Sequence, residues 1–69
     1  MSDIVVVANG KPRTAGDGMS VGDFLRGLHL APAQAIVEYN GEPLERERFD
    51  GTSLRSGDRI EIAQMVGGG

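Results

Sequence analysis

The residues best suited to carry chemistry are three consecutive glycines, Gly67, Gly68 and Gly69, which follow an alternating, strand-like run. Glycine loses more conformational entropy on folding than any other residue and adds no side chain to a core, so three glycines suit a globular edge poorly. They suit a carboxylate that must enter a narrow channel. We therefore expect Gly69 to carry the reacting carboxylate, and a frayed end or cloning remnant is the alternative.

Length and composition limit what the rest of the chain can be. The 69 residues are expected to form one domain with a small core. The chain has no cysteine and a single histidine, His29, which excludes disulfides and the Cys/His clusters of structural zinc sites. We expect no bound cofactor, no metal site and no enzymatic activity from a core of this size.

The charge pattern argues against a nucleic-acid partner. The formal net charge is −3, the arginines are scattered, and aromatic residues that could stack on bases are few. No apolar run approaches the roughly 20 residues of a membrane span. The start, Met1 to Asp3, has no basic region leading into an apolar stretch, so no secretory signal is indicated. We expect a cytoplasmic protein without a membrane partner.

The first part of the chain predicts a β-hairpin. Residues Ile4 to Ala8 are rich in β-branched side chains, which favour a strand. Asn9-Gly10 follows, and this dipeptide favours a two-residue hairpin turn because both residues tolerate positive φ. Lys11 to Ala15 would return antiparallel. Pro12 places this second strand at a sheet edge, where its missing N–H does no harm.

A helix is predicted next. Ser20 suits the N-cap, and Asp23 three residues later could reach back to it in a shortened capping box. A stripe of apolar residues with helical spacing follows, at Val21, Phe24, Leu25 and Leu28. The helix should end near His29, because Pro32 disfavours helix in the residue before it.

Further strands are predicted in the second half of the chain. Ala35 to Tyr39 forms a strand that an Asn40-Gly41 turn closes, and Leu44 to Arg46 forms a short strand. One helical turn is expected within Arg48 to Leu54, with Phe49 and Leu54 in the core. A turn at Ser56-Gly57-Asp58 leads into the last strand.

The last strand, Arg59 to Val66, should connect the core to the glycines. Ile60 and Ile62 alternate with Glu61 and Ala63, so the two pairs should face opposite sides of the sheet. Since this run is the most apolar long strand, we expect it to lie centrally, beside the first strand. Ala63 and Met65 on its outward face form a candidate docking patch, because methionine adapts to more than one partner.

The order of these elements and the glycine end resembles the β-grasp of ubiquitin-like proteins. Among them the chain is most similar to the ThiS family of bacterial sulfur carriers for thiazole synthesis. The resemblance covers essentially the whole chain, and it is weakest over Lys11 to Met19. It is carried by Val37 to Glu42, Arg46, Phe49, Leu54 to Ile62 and Val66 to Gly69. Phe49 stands where many relatives have tryptophan, and Pro43 stands where an aliphatic residue is more usual.

The resemblance implies an α+β fold of the β-grasp type. A mixed sheet of four to five strands would pack on one main helix. Residues 1–66 would form the domain, and residues 67–69 would be a flexible tail that Gly67 and Gly68 allow to thread into a partner.

The resemblance also implies a function. The Gly69 carboxylate would be adenylated and converted to a thiocarboxylate that donates sulfur to the thiazole of thiamin. ATP and Mg²⁺ would be used by a ThiF-like adenylating enzyme of the ubiquitin-activating type. A cysteine desulfurase would supply sulfur, and a ThiG-like thiazole synthase would accept it. The physical reasoning agrees, because a carboxylate needs activation and no phosphate-binding loop is present in the sequence.

Two other functions remain open at this point. One is a sulfur carrier in another pathway, such as molybdopterin or cysteine synthesis. Molybdopterin carriers are usually longer and often have Pro-Pro where Gln64-Met65 stands here. The other is a ubiquitin-like protein modifier. Lys11 is the sole lysine, which disfavours a tag that forms branched chains but not single conjugation.

Overall fold

The computed structural model describes residues 2–65 of the chain. Within that range, strands alternate with one α-helix and two 3-10 turns: β1 (Asp3–Ala8), β2 (Lys11–Gly16), α1 (Val21–Gly27), a 3-10 turn (Pro32–Gln34), β3 (Ala35–Tyr39), β4 (Glu42–Leu44), a second 3-10 turn (Arg46–Arg48) and β5 (Arg59–Gln64). The strands form one sheet in the order β2-β1-β5-β3-β4. The predicted central place of the last strand, beside the first, is therefore confirmed.

The first hairpin forms as its sequence predicts. Strands β1 and β2 pair antiparallel from Asp3↔Gly16 to Ala8↔Lys11. Asn9 has a φ of 50° and Gly10 a φ of 81°, which is the double positive φ of a tight hairpin turn. Strand β2 lies at the sheet edge, so Pro12 leaves no gap in a central ladder.

The helix begins at the predicted cap. The Ser20 hydroxyl accepts a hydrogen bond from the backbone N–H of Asp23 at 3.0 Å, which satisfies one of the free donors of the first turn. The predicted return contact from the Asp23 carboxylate is not made, because that carboxylate instead pairs with Arg26 at 3.0 Å. Only half of a capping box is therefore present.

The helix ends in a Schellman motif. The N–H of Leu30 donates to the carbonyl of Leu25 at 2.9 Å, and the N–H of His29 donates to the carbonyl of Arg26 at 2.9 Å. His29 has a φ of 63°, the left-handed conformation that most often falls to glycine at this position. The predicted end near His29 is confirmed, and Pro32 begins the 3-10 turn that follows.

The core lies between the sheet and α1. Its members are aliphatic apart from two phenylalanines, and they come from both layers: Ile4, Val6, Ala8, Ala15, Val21, Phe24, Leu25, Ala35, Val37, Phe49, Leu54 and Ile60. Phe49 and Leu54 are buried as predicted. They pin the long irregular segment before β5 against the helix.

The segment after the Asn40-Gly41 turn differs from its prediction. The short strand covers Glu42–Leu44 rather than Leu44 to Arg46, and the helical turn comes earlier, at Arg46–Arg48. The tight turn explains the shift, since pairing resumes directly after it with Tyr39↔Glu42. Pro43 tolerates this position because β4 is the other edge of the sheet.

A carboxylate network fixes the start of β5. Asp58 is only 9% exposed and accepts hydrogen bonds from three donors. These are the Tyr39 hydroxyl, the Arg55 backbone N–H at 2.8 Å and the Asn40 side-chain amide at 3.2 Å. The network joins the β3–β4 turn to the turn before β5, and so it sets where β5 enters the sheet.

The pKa values of the two acidic groups in this network, Tyr39 and Asp58, are shifted in opposite directions. Burial, the larger cause, and the hydrogen bond to Asp58 together raise the pKa of the Tyr39 hydroxyl to about 12. Burial also acts to raise the pKa of the Asp58 carboxyl, but the hydrogen bonds from Tyr39, Arg55 and Asn40 together outweigh it. The net result is a lowered Asp58 pKa, so the carboxylate is the form that the fold stabilises.

Replacing Asp58 should remove a pH-dependent part of the stability. A lowered folded-state pKa contributes stability above the unfolded pKa of about 3.9, and this contribution is lost as pH falls through the folded pKa. We expect Asp58→Asn to lower the free energy of unfolding by about 2 kcal/mol near neutral pH, with a smaller loss in acid. Urea unfolding of the variant and the parent chain, near neutral pH and in acid, measures how the loss of stability depends on pH.

The control is Asp17→Asn, an exposed aspartate in the loop before α1. It removes the same charge and should change the free energy of unfolding by less than about 0.5 kcal/mol. Equal stability of Asp58→Asn and the parent chain near neutral pH would show that the network does not stabilise the fold.

Candidate functional site

The backbone of β5 leads to the glycines, and β1 supports only its first part. The two strands pair in parallel at Val7↔Arg59 and Ala8↔Ile60, and β1 then ends. The side chain of Asn9 continues the pairing. Its Oδ1 accepts from the N–H of Ile62 at 2.7 Å, and its Nδ2 donates to the carbonyl of Ile62 at 3.1 Å. One asparagine amide thus replaces a strand neighbour.

The other side of β5 is paired along its whole length. Strand β3 runs antiparallel to it from Ala35↔Gln64 to Tyr39↔Ile60. Pairing extends one residue further, since the N–H of Met65 donates to the carbonyl of Gln34 at 2.8 Å. At the start of β5, the Asn40 side chain accepts from the N–H of Arg59 at 2.8 Å. The chain is therefore held firmly up to Met65, the last described residue.

The predicted docking residues lie at the outer face of this strand. Ala63 is exposed, and Met65 is 43% exposed. Strand alternation places both on the side opposite the helix. Gly67, Gly68 and Gly69, predicted as the threading and reacting residues, lie outside the described residues.

The structure adds Ile36 to the two predicted docking residues. Ile36 pairs directly with Ala63 and is 55% exposed, which is unusual for an isoleucine in the middle of a sheet. Its alternation with the buried Ala35 and Val37 could have revealed this, had the register of β3 against β5 been known. We call Ile36, Ala63 and Met65 the apolar patch.

Two carboxylates adjoin the apolar patch. Glu38 and Glu61 stand directly opposite each other across β3 and β5, and like charges in such a pair destabilise a sheet. Both line a shallow depression of about 220 Å³ together with Ile36 and Ala63. An apolar surface with two adjacent carboxylates suits a partner that offers apolar side chains and a cation.

Residues 2–65 contain no obvious reaction centre of their own. In that range, no three histidine or acidic side chains come together as a metal site would require. Nor does any helix there have the length and apolar character needed to cross a membrane. The distinctive feature of the described chain is a central strand that ends next to an exposed apolar patch.

Comparison with known proteins shows the family to which this chain belongs. The sequence profile of the ThiS family matches residues 6–69. The chain belongs to the ThiS family. Comparison with curated proteins gives no significant match.

Two solved structures of a ThiS-type protein from Geobacter metallireducens share the fold. The crystal structure of that thiamine biosynthesis protein has a TM-score of 0.79 at 40% identity, covering 96% of this chain and 100% of that one. A solution structure of a thiamine biosynthesis protein from the same organism has a TM-score of 0.77 at 40% identity, covering 96% of this chain and 88% of that one. The predicted β-grasp fold is thereby confirmed.

The Asn9 bridge should be measurable as local stability of β5. We expect Asn9→Gly to lower the free energy of unfolding by about 1–2 kcal/mol, because two hydrogen bonds to Ile62 are lost. Glycine accepts the positive φ of this turn, so the turn itself is not strained. Amide exchange at Ile62 should also become faster.

Comparison with Asn40→Gly separates a local effect from a general one. That variant removes contacts at the other end of β5, to Arg59 and Asp58. Exchange at Ile62 should therefore respond more to Asn9→Gly than to Asn40→Gly. Equal rates of amide exchange at Ile62 in the two variants would contradict a local stabilisation of β5 by the Asn9 side chain.

The opposed carboxylates should lower stability. We expect Glu61→Gln to raise the free energy of unfolding by about 0.2–1 kcal/mol, because it removes the repulsion with Glu38. The gain should shrink in about 1 M salt, where charges are screened within roughly 3 Å. Glu45→Gln, which removes an exposed charge outside the strands, is the control, and an equal gain in both variants would exclude a specific repulsion.

Proposed function

We propose that this ThiS-family chain is a sulfur carrier in thiamine synthesis. The observation that carries the proposal is the family match over residues 6–69, which includes the three glycines. The relatives of known structure, at 40% identity, are described as thiamine biosynthesis proteins. The chain would be a co-substrate that partner enzymes modify, rather than an enzyme itself.

The proposed chemistry begins with activation of the Gly69 carboxylate. At neutral pH an α-carboxylate with a reference pKa of about 3.3–3.7 is ionised, and it is a poor electrophile. Attack of its oxygen on the α-phosphorus of ATP would give an acyl-adenylate and release pyrophosphate. The charge that develops on the phosphates needs Mg²⁺ and cationic groups, which a ThiF-like adenylating enzyme would supply.

Sulfur would then replace AMP. The terminal sulfur of a persulfide, supplied by a cysteine desulfurase, would attack the activated carbonyl carbon, and AMP would leave. A second thiol would reduce the resulting acyl disulfide, which leaves a thiocarboxylate on Gly69 and a new disulfide. A ThiG-like thiazole synthase would accept the sulfur.

The glycines suit this division of work. Gly67, Gly68 and Gly69 span about 10 Å at most when extended. That length would carry the reacting carbon away from the domain, and the lack of Cβ atoms would let the tail enter a narrow channel. The firm pairing of β5 up to Met65 supports the proposal, because a partner could draw in the tail without disturbing the core.

The apolar patch would dock the enzymes that receive the tail. Ala63 and Met65 lie on the strand that leads to the tail, and Ile36 extends the patch onto β3. Burial of exposed apolar surface is the common driving force of association. Glu38 and Glu61 would favour a partner with a cation at that position.

Two alternatives are distinguished by the acceptor. A carrier for another pathway would form the same thiocarboxylate but would pass its sulfur elsewhere. A protein modifier would form an amide with a lysine of a target protein and give adducts of high mass. Deletion of the gene tests the pathway, because growth without thiamine would count against the proposed one.

Intact mass measures the proposed reaction at the tail. The chain is incubated with ATP, Mg²⁺, an adenylating enzyme of the ThiF type and a persulfide source. We expect a mass increase equal to the difference between one sulfur and one oxygen atom. No adenylate and no thiocarboxylate on a chain with a free Gly69 carboxylate would exclude a carrier function.

Deletion of Gly69 provides the matched variant. The shortened chain should lose the thiocarboxylate product and keep the melting temperature of the parent, because the buried core in the described part of the chain ends at Ile60. A melting temperature several degrees lower would contradict a tail that lies outside the core.

Serine substitutions test the docking role of the apolar patch. We expect Ile36→Ser with Met65→Ser to weaken binding to the adenylating enzyme roughly tenfold, because two exposed apolar side chains are lost. Val5→Ser is the control, since Val5 is also 50% exposed but lies beside Gly57, at the opposite end of β5. Equal affinities for the double variant and the parent chain would exclude this patch as a docking surface.

A further inference from the structure

A second surface lies on the helix side of the sheet, opposite the apolar patch. The short helix α1 does not cover β2, whose residues are exposed except at its C-terminal end. A groove of about 620 Å³ therefore lies between β2, the end of α1 and the end of β5. We call it the basic groove; its walls include Lys11, Arg13, His29, Leu30, Ile62 and Gln64.

Two cationic residues of the groove, Lys11 and Arg13, lie on the face of the sheet that packs against the helix. The register pairs Lys11 with Ala8 and Arg13 with Val6, and both partners are buried against the helix. Lys11 and Arg13 thus stand where apolar residues would extend the core. Neither forms an ion pair with another described residue, so their charges are available to a partner.

The composition of the groove is unusual for this chain. The net charge is −3, yet no acidic residue is found among the described residues that line the groove. The half-buried Leu28, Leu30 and Ile62 give it an apolar floor. Cations above an apolar floor fit a peptide that carries carboxylates and one aliphatic or aromatic side chain.

His29 is a separate observation at the same place. It lies in the left-handed region with a φ of 63°, where a side chain costs free energy that glycine would avoid. His29 lines the groove despite this strain. Strained residues of this kind concentrate at binding sites.

The groove also adjoins the end of β5, the strand that precedes the glycines in sequence. Gln64 lines it, and Met65 is the next residue in the chain. A protein that takes up the tail therefore comes within a few residues of the groove. We propose that the basic groove binds an acidic segment of the adenylating enzyme, a second contact that rests on the function proposed above.

Protection of an edge strand is the competing explanation. Inward charges and proline on an edge strand prevent pairing with other chains, and β2 carries Lys11, Pro12 and Arg13. Charge reversal separates the two explanations, because a glutamate protects an edge as well as a lysine does but repels an acidic segment.

The decisive measurement is the affinity of the adenylating enzyme for the full chain. We expect Lys11→Glu with Arg13→Glu to weaken binding roughly tenfold or more at low salt and to reduce its salt dependence. The control is Arg46→Glu with Arg48→Glu, which makes the same change in net charge near the opposite edge of the sheet. Equal effects of the two double variants would overturn the proposal.

Carbodiimide cross-linking tests the contact itself. Since Lys11 is the sole lysine, its amine should couple to an aspartate or glutamate of the enzyme, and peptide mapping should identify the pair. Lys11→Arg should keep the affinity and lose this product. A complex that gives cross-links only from the N-terminal amine would contradict the proposed contact.

His29→Gly gives a variant whose effect cannot come from unfolding. We expect its melting temperature to rise, because the strain at φ 63° is relieved, while its affinity for the enzyme falls. An unchanged affinity would remove His29 from the site.

A measurement of thiocarboxylate formation at a saturating concentration of the adenylating enzyme tests the carrier function separately from the proposed groove contact. The parent chain is tested for the product under that condition. If the parent chain forms none, the carrier function fails, whereas the groove is judged by affinity and cross-linking alone.

Discussion

The hydrogen bonding of β5 is the constraint on which the rest of the structure depends. This strand pairs with β1 on one side and with β3 on the other. Where each neighbour ends, an asparagine side chain takes over, Asn9 at Ile62 and Asn40 at Arg59. Both asparagines occupy turns with positive φ, so one residue type serves the turn and the neighbouring strand.

The same strand separates two surfaces of different chemistry. One face of the sheet exposes the apolar patch with its two carboxylates, and the other face holds the core and then opens into the basic groove. Both surfaces meet at the end of β5. The contacts proposed at both surfaces would lie on either side of the strand that leads to the tail, so recognition and reaction could be coupled in a very small protein.

The sequence predicted the elements better than it predicted their contacts. Turns, caps and helical periodicity are local signals, so the hairpin, the helix ends and the buried strand positions followed from neighbouring residues. The Asn9 bridge joins positions 53 residues apart, and it depends on a register that no local pattern contains. The exposure of Ile36 and the basic groove have the same origin, since each depends on which elements pack together.

The direction of β5 has a mechanical consequence. Hydrogen bonds of a sheet lie roughly across its strands, so a pull along the last strand loads both ladders in shear. The bonds to β1, β3 and the two asparagines would then share the force instead of breaking one after another. An enzyme that draws on the end of this chain would pull along β5 and load these hydrogen bonds together, so the domain would stay folded while the tail is drawn in.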